Sequence, residues 1–405
     1  MDGLPPGIVR VTGTCKGKIA ITPTRTTNEN DGLSYPVVYH CETRRFQVLE
    51  PSGSASDEKD FADLNLMEAG YYLNEFKRVD RQRYGGYSIY SNDGTLLERI
   101  ERTDLDPHDI LITADSILYL KYTTPVSVPA PGHLCGVFPI EFELVEESRG
   151  RSAQAWVWKS AGKFDTAWNT DADARDRLVP RKGWNGIVDV LRTCYTSLAM
   201  RVLPLDIPSG FLVAGGYPLL QVEMLDHIHA NSIARTGRAG DILVSARQLD
   251  TIFIIDKKTG IVKWALGGPM SKMTTARPLG DPRGGFSHQH SASISAGSLY
   301  IFDNANNSPG LPSRAVVYSV DESIPGLATY KYEFAEPNGL RRENAGSIQP
   351  VENGRILIGW GGVPAKNEKE TTRAVSVFDP SSGREEFAID FAPGWESYRA
   401  RGSAR

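Results

Sequence analysis

The sequence predicts an all-β chain folded as a single six-bladed β-propeller over residues 1–405, with one helical insertion. Three observations lead there: short β-rich runs joined by tight turns, a fixed spacing between strand starts, and helical periodicity confined to one segment. The runs are plainest in three hairpins. Residues 251–256 (TIFIID), the turn KKTG and residues 261–264 form one; 374–379, the turn PSSG and 386–390 form a second; 87–90, the turn NDG and 96–100 form a third. Other runs are entered from Gly240, Gly297 and Gly354, which lie 57 residues apart in both steps. Such a period, with three or four strands in each unit, fits blades around an axis better than alternating strands and helices. Four units are legible, and two more are assigned to residues 10–55 and 133–225. A β-sandwich is the competing all-β arrangement.

The exception lies at residues 165–204. After a charged stretch, Ile187, Leu191, Cys194, Leu198 and Val202 fall at helical spacing. This is read as an amphipathic helix inserted in the propeller, either packed on its surface or covering a pocket.

A balance of 45 Lys+Arg against 49 Asp+Glu, with no long basic run, excludes the phosphate-seeking surface of a nucleic-acid-binding protein. Nothing approaches 18 uninterrupted apolar residues, so no membrane partner is expected. The opening MDGLPP lacks the basic and apolar regions of a signal peptide, which predicts a cytoplasmic protein, with an exported mature form as the alternative. Cys15, Cys41, Cys135 and Cys194 show no zinc spacing and are read as buried free thiols rather than disulfides. Gly267-Gly268 and Gly361-Gly362 open no helix and precede no Lys-Ser/Thr, so no phosphate cradle and no cofactor are expected.

Five of the seven histidines fall in three contexts: DPHD with His108, DHIHANS with His227 and His229, and FSHQHS with His288 and His290. Each context precedes a β run, where the innermost strands of a propeller begin. If the segments are extended, His227, His229 and Asn231 share one face and His288 and His290 another. A lone histidine is more often structural, but three clusters placed alike can converge on one site. Imidazoles beside Arg247 suit anion binding and proton transfer near neutral pH.

The run from Asp226 through His229-Ala230-Asn231-Ser232 to Ser245-Ala246-Arg247, then Trp264-Ala265-Leu266-Gly267-Gly268, Gln289-His290, Phe302-Asp303-Asn304, Ser313-Arg314, Ser347-Ile348-Gln349, Gly359-Trp360-Gly361 and Ser397-Tyr398-Arg399, resembles the bacterial arylsulfotransferase family. The likeness spans about residues 106–399. It implies a six-bladed propeller that moves a sulfuryl group from an aryl sulfate donor to a phenolic acceptor without a nucleotide sulfate donor. It also implies that His290 becomes transiently sulfated, with His229, His108 and Arg247 as the other catalytic residues and Asn231 contacting substrate. His227 and His288 are placed with Asn231 as substrate-binding wall residues. The position after Gln-His, often acidic in relatives, is Ser291.

Sulfuryl transfer spreads charge over three non-bridging oxygens between in-line entering and leaving groups, so the protein mainly positions groups and stabilises charge. Arg247 and Asn231 would donate hydrogen bonds to those oxygens, a neutral His290 would attack sulfur, and His229 or His108 would move the phenolic proton. Asp109 is either the group that fixes a histidine tautomer or a turn residue. Two other readings fit the histidines: a propeller of the same family serving as a binding protein or in another biosynthetic reaction, and a His-ligated metalloenzyme.

Overall fold

The predicted strands close into six antiparallel sheets arranged as propeller blades, seen in a computed structural model of the chain. The structure describes residues 3–25, 34–49, 59–79, 82–101, 105–123, 128–130, 133–149, 154–165, 168, 224–236, 240–273, 276–321, 327–362 and 370–403. From the axis outward, blade 1 is Ala400–Gly402, Lys18–Ile21, Val37–His40 and Arg45–Val48, and blade 2 is Lys59–Met67, Gly70–Val79, Gln82–Ser91 and Leu96–Glu101. Blade 3 is Leu105–Ile112, Ser116–Tyr122, Phe142–Ser148 and Gln154–Lys159. Blade 4 is Ala230–Arg235, Ile242–Ala246, Thr251–Ile255 and Val262–Gly267, and blade 5 is His290–Ser295, Ser298–Asp303, Arg314–Val320 and Ala328–Ala335. Blade 6 is Ser347–Pro350, Ile356–Gly359, Thr372–Asp379 and Arg384–Phe391, with Ile8–Gly13 added at its outer edge.

Alternation explains why these sequences read as short continuous apolar runs. Both faces of a blade are covered, so every side chain of a central strand needs an apolar neighbour. In blade 4, Val244, Phe253 and Ile255 pack against Leu118, Leu144 and Trp158 of blade 3. The intervening Leu243, Ile252 and Ile254 pack against Leu299, Ile301 and Val316 of blade 5. The same arrangement fills the remaining junctions between neighbouring blades.

The ring is closed by both chain ends. The strand Ile8–Gly13 joins the last blade, the chain then crosses to Lys18–Ile21, and the C-terminal strand Ala400–Gly402 becomes the innermost strand of blade 1. At that crossover Cys15 is bonded to Cys41, with Cα atoms 5.2 Å apart. The free-thiol expectation is therefore wrong for this pair. Twenty-six residues separate the two, and only the pairing of Lys18–Ile21 with Val37–His40 brings them together. Such bonds persist in oxidising surroundings.

The weak unit assigned to residues 133–225 is instead built from residues 105–159. Its signal is masked by Glu143, Glu146 and Glu147 on the strand Phe142–Ser148: Lys159 pairs with Glu143, Arg235 and Lys257 both reach Glu146, and Glu147 accepts from the Tyr119 hydroxyl at 2.9 Å. The helix expected over residues 184–203 lies outside the described residues. Among the described residues, no helix is long and apolar enough to cross a membrane.

Reducing the Cys15–Cys41 bond, or the substitution Cys15→Ser, is expected to lower unfolding free energy by about 2–4 kcal/mol. Urea midpoints of oxidised and reduced protein measure this, and coincident midpoints would contradict it.

Candidate active site

The innermost strands begin at one mouth of the axis, and several are irregular there. Register shifts fall between Phe61 and Leu64, Leu105 and Ile110, Ala230 and Ser232, and His290 and Ser293. His229, His288, Ser291 and Ala345 have positive φ of 49°, 51°, 51° and 59°. Left-handed residues break the two-residue alternation and aim side chains that a regular strand would turn elsewhere. The expected common face of His227, His229 and Asn231 is lost for this reason.

His108 and His229 meet at the mouth with ring centroids 4.7 Å apart, edge to face. Each is oriented by its own carboxylate. Asp106 bonds Nδ1 of His108, and Asp226 bonds Nδ1 of His229, so both rings hold Nδ1–H and leave Nε2 for the site. Burial would lower the His108 pKa, but the adjacent Asp106 carboxylate outweighs it and raises the value above that of free histidine. Burial likewise works to raise Asp226, and the His229 ring overcomes it and holds the carboxyl below its ordinary range.

His290 is the opposite case. It is buried on the first residue of the innermost strand of blade 5, and burial, then the positive charge of Arg247, hold its pKa well below the ordinary value. Asn304 donates from Nδ2 to the carbonyls of Arg342 and Ala345, at 2.8 and 3.1 Å, so its Oδ1 is the acceptor facing His290 Nδ1 at 2.7 Å. The proton is thus on Nδ1 and the lone pair on Nε2, where the Ala345 N–H approaches at 3.3 Å. Gly346 makes that approach possible: its φ is +103°, and a Cβ there would lie 2.4 Å from the Phe302 ring. Asp303, paired with buried Arg314, accepts from the backbone N–H groups of Ser287 and Ala305 and so fixes the segments leading to His290 and away from Asn304.

The other expected site residues divide. Arg247 stands on the short turn Arg247–Leu249 at the same mouth, donating to Gln248 Oε1 at 3.1 Å and to the Glu343 carbonyl at 3.2 Å, and its charge reaches both His290 and Asp226. Asn231 is fully buried, and its Nδ2 donates to the Gln289 carbonyl at 2.7 Å, joining blades 4 and 5 rather than offering that donor to a sulfuryl group. His288 is buried against Asp250, whose Oδ1 accepts its backbone N–H at 2.7 Å. His227 is fully buried, and burial pushes its pKa down to about 4.

Residues from other segments complete the mouth. Arg399, just before the C-terminal strand, reaches Asp63 at 3.1 Å, Asp109 at 2.9 Å and the Asn231 carbonyl at 2.7 Å. Asp109 also accepts the Ile233 N–H at 2.9 Å. It therefore neither fixes a histidine tautomer nor serves a simple turn; Asp106 and Asp226 have the first of those roles. Tyr398 neighbours both histidines, its ring 6.4 Å from His108 and 6.5 Å from His290.

Fold and site together define a six-bladed propeller with an imidazole-lined, partly cationic mouth. Residues 219–378 match the arylsulfotransferase (ASST) family model. That stretch is less than half of the chain; it contains His229, Arg247, His290 and Asn304, whereas His108, Tyr398 and Arg399 lie outside it. No curated protein matches the chain. Among solved structures the chain is similar to a protein of unknown function from Bacteroides caccae, at 10% identity over 96% of this chain and 100% of that one, with TM-score 0.45. It is also similar to a protein from Lactobacillus plantarum, at 9% identity over 96% and 100%, with TM-score 0.46. A third is the Cps50 (Swd1) β-propeller domain of Myceliophteria thermophila, at 11% identity over 94% and 88%, with TM-score 0.42.

His227 makes stability pH-dependent. Its folded pKa of about 4 lies below the unfolded value near 6.5, so the unfolded chain binds a proton first and stability falls as pH drops from about 6.5 to 4. The substitution His227→Phe is expected to flatten this acid limb by as much as ~3 kcal/mol. Urea titrations at pH 7 and pH 4.5 read the difference, and parallel wild-type and variant curves would contradict it.

Proposed function

We propose that the protein transfers a sulfuryl group from an aryl sulfate to a phenol in two steps at this mouth, with His290 as the intermediate carrier and no nucleotide sulfate donor. The observation that carries the reading is the hydrogen bonding of His290, with Nδ1–H held by Asn304 and the lone pair on Nε2, where the Ala345 N–H donates to it; burial and Arg247 favour the neutral ring. Such a nitrogen is a competent nucleophile. In the first step the Nε2 pair forms the N–S bond while the S–O bond breaks and its electrons go to the phenolic oxygen. The departing phenolate takes a proton from His108 or His229. In the second step the acceptor phenol gives its proton to the same imidazole, its oxygen bonds to sulfur, and the N–S bond breaks back to neutral His290. Carboxylates on both acid–base imidazoles suit them to hold and release that proton. Arg247 supplies positive charge to the sulfuryl oxygens and disfavours protonation of the nucleophile.

Incubation with 4-nitrophenyl sulfate alone should add about 80 Da, one SO₃ group, to the His290 peptide, and adding a phenol should discharge it. The substitution His290→Ala is expected to abolish the adduct and the turnover. By contrast, His288→Ala should keep both within about tenfold, roughly 1.4 kcal/mol of barrier. Peptide mass spectrometry decides the matter: an adduct that persists without the His290 imidazole overturns the reading.

A further inference from the structure

The mouth holds a polar group that the two-step scheme leaves unused. The Tyr398 hydroxyl is buried and, among the described residues, has no hydrogen-bond partner. A buried hydroxyl without a partner is costly, and phenylalanine would fill the same space without that cost. Its ring neighbours both acid–base and nucleophilic imidazoles, edge-on to His290 at 6.5 Å and 6.4 Å from His108. The ring is held from several sides. The Arg399 guanidinium lies 4.8 Å from the ring centroid, the Tyr398 carbonyl accepts the Gly346 N–H at 3.0 Å, and Gly346 belongs to the turn whose Ala345 touches His290.

Resting on the function proposed above, we infer that Tyr398 donates a hydrogen bond to the phenolic oxygen of donor and acceptor, at the atom where the S–O bond breaks and forms. An atom bonded to sulfur on His290 and within reach of the His108 proton must lie near both of those rings, and Tyr398 neighbours both. Burial raises the tyrosine pKa, so the hydroxyl stays a neutral donor and does not compete as an acceptor phenol. In the first step the hydroxyl shares its proton with the oxygen as negative charge builds there. It keeps that proton, the full transfer coming from His108 or His229.

This role differs from packing in its dependence on the leaving group. Single-turnover release should be compared for wild type and Tyr398→Phe with 4-nitrophenyl, phenyl and 4-methylphenyl sulfates. The variant should lose about tenfold with the nitro compound and about a hundredfold with the methyl compound, because the poorer leaving group carries more charge on oxygen in the transition state. The sulfated His290 peptide should still form. An equal loss with all three donors, or no loss, overturns the inference while leaving the proposed function standing. Absence of sulfated His290 in the wild-type protein overturns both.

Discussion

The Arg399 guanidinium holds four blades at once. It comes from the segment that enters blade 1, and it binds Asp63 of blade 2, Asp109 of blade 3 and the Asn231 carbonyl of blade 4. Burying these charges is expensive, and their mutual geometry offsets the cost; removing one partner of such a set typically costs about 3–5 kcal/mol because it strands the others. The cluster also passes order onward. Asp109 fixes the Ile233 N–H, and Asn231 donates to the Gln289 carbonyl, next to His290. Closure of the ring and placement of His290 are thus parts of one hydrogen-bonded chain, which would suit a site that needs its groups held within fractions of an ångström.

Around that anchor the protein sets identical side chains to different tasks by environment. Burial and Arg247 keep His290 neutral, whereas Asp106 draws His108 toward its charged form. Separated pKa values for neighbouring titratable groups are what the proposed division between a nucleophile and a proton carrier would require. The orienting partners differ in kind as well. A carboxylate stabilises an imidazolium and belongs with a proton carrier, while the Asn304 amide fixes a tautomer without adding charge.

Much of this was legible in the sequence because the strands are buried on both faces and therefore apolar throughout, as in the run from Ile242 to Ala246. Blade 3 was obscured because its glutamates are balanced by residues from other parts of the chain, Arg235 and Lys257 among them. Histidines at strand starts were visible, but their facing was not: left-handed residues at His229 and His288 are set by the surrounding loops, and no local pattern announces them. Asp106 and Asp226 stand beside their histidines in the sequence, two and three residues away, but spacing does not distinguish them from Asp109, because the bond depends on the turn between them. Asn304, Tyr398, Arg399 and the partner of Cys15 come from distant chain segments, which only the closed ring brings together.

The account's central claim is that His290 is neutral at the mouth, with its proton on Nδ1. Nitrogen NMR of protein labelled with ¹⁵N-histidine, followed from pH 5.5 to 8 and assigned by His290→Gln, tests it without any substrate. The account predicts a protonated-type Nδ1 and an unprotonated-type Nε2 that do not change across that range. A His290 ring that titrates near pH 6.5, or that carries its proton on Nε2, would contradict it.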